Sequence, residues 1–276
     1  MSSRYYSENE EINFEESLNQ YEYLFKDYES KPPTLEEALI DMFRNWGLSE
    51  KDSKEIYDHL KIVCEHRINE KWNDIHKEYE NISKNDALII SSYTYEVQGK
   101  FMGKSPSRLL NTNLVATNRK NGVINVEKYL FLFLRALRGL KKYKYNKLLR
   151  CITCNVKLEK DPNNDKYIPY ENGNQKTFWA FTSTYDNESQ TEDFLGNGEG
   201  TKFKIEGNDL WGYDIFLFNV YNEKEKLLEP ERKYVVENVT KGKITEITCK
   251  IIDNPQVLDI CKFKNKIYIS KYYYII

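Results

Sequence analysis

Hydrophobic and polar positions recur with one period in the first half of this chain and with another in the second. Up to about residue 147 the apolar residues keep helical spacing. Phe14 to Tyr28 carries apolar and aromatic residues in that rhythm, and Pro32 with Pro33 stops it. Thr34 and Glu37 form a capping-box pattern that starts a second helix through Leu39, Ile40, Met42 and Phe43, ending near Gly47. Ser49 is placed to cap a long polar helix carrying Ile56, Leu60, Val63, Cys64 and Trp72. A further apolar stretch, Ala87 to Ile90, leads into Tyr93, Thr94, Tyr95 and Glu96. Gly99 to Ser107 reads as a loop. Asn125 is read as the cap of the most apolar helix, whose residues Tyr129 to Leu137 predict burial against a sheet.

After Leu148 the period shifts towards alternation, with β-branched and aromatic runs. Strands are predicted at Leu148–Val156, Thr177–Thr184, Lys202–Ile205, Tyr213–Tyr221, Lys233–Val239, Thr245–Ile252, Val257–Phe263 and Ile267–Ile275. Lys160 to Gln175 and Asp186 to Gly200 read as loops. Helices followed by strands, rather than alternating with them, indicate an α+β class and not a doubly wound parallel sheet. No internal repeat is visible.

Composition narrows the picture. A chain of 276 residues with 40% hydrophobic content has room for a sizeable core, and its 22 tyrosines suit the core's edge, where a ring can be buried and a hydroxyl paired. The 41 basic and 43 acidic side chains are mixed along the chain, so no basic stripe points to nucleic acid. The opening residues have no apolar run of the kind a signal peptide needs, and the longest apolar run, Tyr129 to Leu134, is too short to span a membrane. Five irregularly spaced cysteines do not make a disulfide framework. The expectation is a reduced, cytoplasmic protein with no membrane partner.

Three segments of the second half carry candidate chemistry. Arg150 shares a strand face with Leu148, Ile152 and Val156, and a guanidinium there requires an anionic partner. A dinucleotide diphosphate would match its planar fork of donors; a surface carboxylate would also serve. Ser183 follows the aromatic run Phe178, Trp179 and Phe181, where it could orient a carboxylate or contact a ribose, or simply end a strand. Glu223 and Glu225 lie two apart, so an extended backbone turns both carboxylates one way and makes them repel without a cation or a task. In a chain with 30% charged residues the Glu-Lys-Glu run also arises by chance. His59, His66 and His76 all fall in the helical half, which disfavours a histidine-based triad or metal site among the strands. Cys151 and Cys154 lack a second pair for zinc, and no metal is expected.

Together these residues resemble the arginine-specific (R-S-E) mono-ADP-ribosyltransferase family. The likeness extends to Trp72, to Asn85 through Ile90, to Tyr93 through Glu96, and to the Leu-Asn run at Leu109 to Leu114. It also takes in Phe133 to Leu137, Phe194 with Leu195, Gly200 with Thr201, and Gly212 through Pro230, and it spans roughly Trp72 to Val239. The resemblance implies an N-terminal helical lobe packed on a two-sheet β core, with an NAD cleft between the sheets. It implies residues 1–70 as a helical extension and 71–276 as the catalytic domain.

The same resemblance implies roles. Arg150 would hold NAD, the co-substrate, through its phosphates, and Ser183 would brace Glu225. Glu225 would stabilise the oxocarbenium-like charge as the glycosidic bond opens. Glu223 would bind and help deprotonate an acceptor arginine on a target protein, with Tyr221 facing that protein. Cys151, Thr184 and Phe194 join the implied cofactor-binding set. Two departures stand out: the family usually has glycine where Cys151 stands, and serine where Tyr185 stands. The implied activity is transfer of ADP-ribose from NAD to protein arginine. The alternatives are an NAD glycohydrolase using the same site, or a catalytically silent relative acting as a binding protein.

Overall fold

In the computed structural model, described for residues 25, 28, 30–114, 124–153, 170–196, 198–230 and 232–252, local capping chemistry sets where the helices begin. Helix α1 (Leu35–Asn45) starts from Thr34, whose hydroxyl accepts the Glu37 N–H at 3.2 Å while the Glu37 carboxylate accepts the Thr34 N–H at 2.8 Å. Two otherwise orphaned donors are thereby satisfied. Helix α2 (Glu50–Glu78) starts from Ser49, which accepts the Asp52 N–H at 3.1 Å. The boundary expected at residue 70 falls inside this helix. Helices α3 (Lys84–Thr94), α4 (Pro106–Leu114) and α5 (Glu127–Leu137) follow. The cap of α5 is Val126, with no side-chain bond; Asn125 instead offers its carbonyl to the Asn45 amide at 3.0 Å. Of the expected first helix, Phe25 and Tyr28 are described; both are helical and both rings lie 5.6 Å from Phe131. No described helix is long and apolar enough to cross a membrane.

Helix α5 is buried almost all round, as its sequence predicts, and it meets α1, α3 and a strand-side aromatic. Phe133 stacks on Tyr93 at 4.5 Å and takes the edge of Phe181 at 5.0 Å. This first core joins the helices to Phe181, Tyr213, Ile215, Phe218 and Leu227. A second core, around Leu148, Phe203, Ile205, Leu228, Tyr234 and Ile247, lies among the strands. Adjacent residues Leu227 and Leu228 enter different cores because strand side chains alternate.

Seven described strands form one hydrogen-bonded sheet, not two. They are β1 (Lys142–Ile152), β2 (Gln175–Phe178), β3 (Thr182–Thr184), β4 (Gly200–Asp214), β5 (Lys226–Leu228), β6 (Arg232–Thr240) and β7 (Ile244–Ile251). The order is β2-β6-β7-β4-β5-β3, with β1 also on β4. Among the described strands only β4 and β7 pair in parallel. The early part of β4 pairs with β7 and β1, and its end pairs with β1 and β5. A short helix, α6 (Glu188–Leu195), precedes β4 and packs on β1. Just after β3, Tyr185 exchanges two backbone hydrogen bonds of 2.7 Å with Leu149 of β1. Strands β1, β4, β5 and β3 therefore close into a ring.

Several strand expectations need correction. The run read as one strand, Thr177–Thr184, is two, because β2 pairs with β6 whereas β3 pairs with β5. Lys202–Ile205 is part of the much longer β4, and Tyr213–Tyr221 is mostly loop, with a 3₁₀ turn at Phe216–Phe218. Past the end of β4, its residues Ile215 and Phe218 are buried under the helices rather than paired in the sheet. The strands expected at Val257–Phe263 and Ile267–Ile275 lie outside the described residues.

Candidate active site

The ring brings Arg150, Ser183 and Glu225 together from β1, β3 and the residue before β5. Arg150 is half-buried and donates from Nη1 to the Ser183 carbonyl at 3.1 Å. Among the described residues it makes no ion pair, so most of its donor fork is left for another acceptor. Ser183 is the middle residue of β3; its buried neighbours Thr182 and Thr184 point the other way. Its side chain lies near enough to the Glu225 carboxyl to favour the ionised form.

Glu225 is only 5% exposed, and its carboxylate accepts Asn219 Nδ2 at 3.0 Å. Burial pushes its pKa from 4.5 up to about 7, and the nearby Glu223 charge adds to that. The polar side chains of Ser183 and Asn219 and the Arg150 charge pull the other way without winning. A buried acid that ionises near neutrality is poised for charge stabilisation or proton work. Glu223, by contrast, is exposed, and its Oε2 accepts the Tyr185 hydroxyl at 3.3 Å. The two carboxylates, read as an equivalent pair on one strand face, differ sharply in solvation because β5 begins only at Lys226.

The other expected residues are spread around this centre. Tyr221, 47% exposed, has its hydroxyl between the Glu96 N–H at 3.1 Å and the Glu96 carbonyl at 3.2 Å. Thr184, fully buried, donates its hydroxyl to the Lys226 carbonyl at 2.7 Å, a bond that ties β3 to β5. Cys151 is buried on β1, and burial raises its pKa. Phe194 lies on α6, 48% exposed.

This arrangement of helices and strands has solved counterparts. The type III effector XopAI from Xanthomonas axonopodis pv. citri, in a form lacking 70 N-terminal residues, has a TM-score of 0.52 at 14% identity. The likeness covers 87% of this chain and 100% of that one. The two share a fold. The Vis toxin, an ADP-ribosyltransferase from Vibrio splendidus, gives a TM-score of 0.47 at 19% identity over 73% of this chain and 88% of that one. The ADP-ribosyltransferase HopU1 of Pseudomonas syringae pv. Tomato DC3000 gives 0.47 at 18% identity over 68% and 83%. No family model matches the sequence, and no curated protein matches it.

Three residues of the centre have no role in the sequence reading. Asn219 is buried and serves both sides of the loop: its Nδ2 holds Glu225, and its Oδ1 accepts the N–H of Tyr221 at 2.8 Å and of Glu223 at 3.3 Å. An asparagine ending the apolar run Ile215 to Phe218 is a turn signal of this kind. Tyr93, fully buried, accepts Asn111 Nδ2 at 3.0 Å, and its phenol feels both Glu225 and Ser183. Burial raises the pKa of that phenol, so it stays a neutral donor beside the acid. Tyr185, marked in the sequence only as a departure, is the hydroxyl on Glu223. Among the described residues no cluster of His, Cys, Asp and Glu is placed to hold a metal ion.

Proposed function

We propose that this chain is an NAD-dependent mono-ADP-ribosyltransferase that transfers ADP-ribose to arginine side chains of a target protein and releases nicotinamide. The observation that carries this reading is the buried Glu225, held by Ser183 and Asn219 beside an Arg150 with open donors. An unpaired guanidinium suits a diphosphate, and a carboxylate kept out of water suits a developing cation. The residues thus match the two charges of NAD near its scissile bond.

In the proposed reaction Arg150 binds the diphosphate and Ser183 with Asn219 fixes the Glu225 carboxylate. The bond between the ribose carbon and the nicotinamide nitrogen breaks with its electron pair going to nicotinamide, which leaves neutral. Ionised Glu225 faces the positive charge left on the ribose, an electrostatic task that glycosidases also give to carboxylates. An acceptor guanidinium nitrogen then bonds to that carbon and gives up a proton, for which exposed Glu223 is the base. That assistance is needed because a free guanidinium keeps its proton until about pH 12 or above. Tyr221, exposed next to Glu223, is placed to meet the target protein.

Nicotinamide release from NAD by the purified protein, with and without agmatine as a guanidine acceptor, tests the reading. ADP-ribosyl-agmatine from the wild type, none from Glu223→Gln, and no release at all from Glu225→Gln are expected. Free ADP-ribose that is indifferent to agmatine would establish a glycohydrolase instead. No release from the wild type under any of these conditions would favour a silent binding protein.

A further inference from the structure

We propose that Arg67 of α2 is a positioning residue for acceptor capture: it clamps the loop that carries Tyr221 and Glu223, and so favours transfer over hydrolysis. The proposal deepens the transferase reading and rests on it. The loop runs from Ile215 to Glu225, between β4 and β5. Asn222 sits between Tyr221 and Glu223 with φ at 58°, the one non-glycine residue with positive φ among the described residues. That left-handed backbone is uncommon outside glycine and needs support from its surroundings.

Arg67 supplies the support. Its Nη1 donates to Asn222 Oδ1 at 2.6 Å and its Nη2 to the Phe216 carbonyl at 3.0 Å. One rigid fork therefore holds the loop at its tip and near its start. The guanidinium carbon also lies 5.9 Å from the centre of the Phe216 ring. Arg67 is 3% exposed and among the described residues it makes no ion pair, though Glu70 favours its charge. A buried cation is costly, so its fixed bonds to the loop are the compensation this site offers. Contacts from the end of α3 and the segment after it complete the hold: Thr94 Oγ1 accepts the Val220 N–H at 3.2 Å, and Tyr221 docks on Glu96.

The division of labour follows from which residues Arg67 reaches. Its partners are Asn222 and Phe216, whereas Glu225 is held from the site side by Ser183 and Asn219. Loosening the clamp should misplace Glu223 and Tyr221 for an incoming guanidinium while leaving Glu225 able to cleave NAD.

Two variants test this from opposite ends. Asn222→Gly keeps the left-handed backbone at an exposed position and removes only the acceptor; Arg67→Met removes the fork. Hydrogen exchange of segment 216–223 is read first, then agmatine KM, kcat, and NAD hydrolysis without agmatine. Both variants should speed exchange in that segment and raise agmatine KM by roughly tenfold, the worth of a charge-assisted bond. Hydrolysis should stay within about twofold, and Arg67→Lys, with one bond restored, should recover part of the KM. Unchanged exchange and KM in both variants would overturn the proposal. So would a parallel loss of hydrolysis and transfer at constant KM, the mark of a merely structural role. Should the wild type release no nicotinamide, the transferase reading fails, and the exchange measurement still decides whether the clamp exists.

Discussion

Replacing Glu225 with glutamine should stabilise the protein, and only well above acid pH. Unfolded, this carboxyl ionises near 4.5; folded, burial makes it hold its proton up to about 7. Between those values the folded state binds more protons than the unfolded one, so stability falls as pH rises. The contribution is fully present below about 4.5 and gone above about 7. At about 1.36 kcal/mol per unit, the gap amounts to about 3 kcal/mol. Glutamine keeps the shape, accepts from Asn219 through its carbonyl, and never ionises. The assay is thermal unfolding of both proteins by circular dichroism at pH 4.5 and pH 8.5, taking the difference in Tm at each pH. The variant's advantage should widen by roughly 6–12 °C on going to the higher pH. A difference that stays constant would mean that Glu225 titrates like a solvated carboxyl, and the charge-stabilisation argument would fall with it. Activity should follow the same ionisation: kcat/KM for nicotinamide release rises through about pH 7, because the carboxylate is the competent form.

Ser183→Ala removes a polar side chain that lowers the Glu225 pKa, so the acidic limb of that kcat/KM profile should move upward in pH and the maximum should fall. Tyr185→Phe deletes the hydroxyl on Glu223 and frees that carboxylate for a guanidinium; agmatine KM should drop by roughly threefold, the worth of one modest hydrogen bond. Gly200→Ala would put a β-carbon 2.6 Å from the Ile152 carbonyl and 2.6 Å from Leu195 Cδ2. Crowding of that kind between β1 and α6 should cost about 1–3 kcal/mol in urea unfolding.

How legible each feature is in the sequence depends on how local its cause is. Thr34 with Glu37, and Ser49, announce their helices because a cap is made by residues three apart. The apolar run Tyr129 to Leu137 likewise predicts its own burial. Strand pairing is another matter. Nothing in Thr177 to Thr184 says that its two ends join different partners, and the polar run Glu206 to Asp209 hides the continuity of β4. The apolar residues Ile215 and Phe218 look like strand because burial under helices demands the same residue types as burial in a sheet. At the site, Arg150, Ser183 and Glu225 are visible as an ordered set, and only family likeness gives that order meaning. Arg67 and Asn222, 155 residues apart, leave no trace in either segment. Nor does the sequence say that the Thr184 hydroxyl is committed to the Lys226 carbonyl.

The ring of β1, β4, β5 and β3 explains why opposite charges can lie close without neutralising each other. Arg150 and Glu225 feel each other's field, yet among the described residues Arg150 bonds a carbonyl and the Glu225 carboxylate accepts from Asn219. A free pair of this kind would collapse into a salt bridge and use up both groups. Here the backbone hydrogen bonds of β1 to Tyr185, and of β3 to β5, fix the two positions independently of their charges. The guanidinium stays available to an anion and the carboxylate to a cation. The same constraint leaves Glu225 desolvated without full compensation, which is why its pKa rises despite an arginine nearby. A ligand carrying a cation to Glu225 and an anion to Arg150 relieves both at once. Either charge alone would relieve only one, so a molecule carrying both a diphosphate and a positive ring is the better fit.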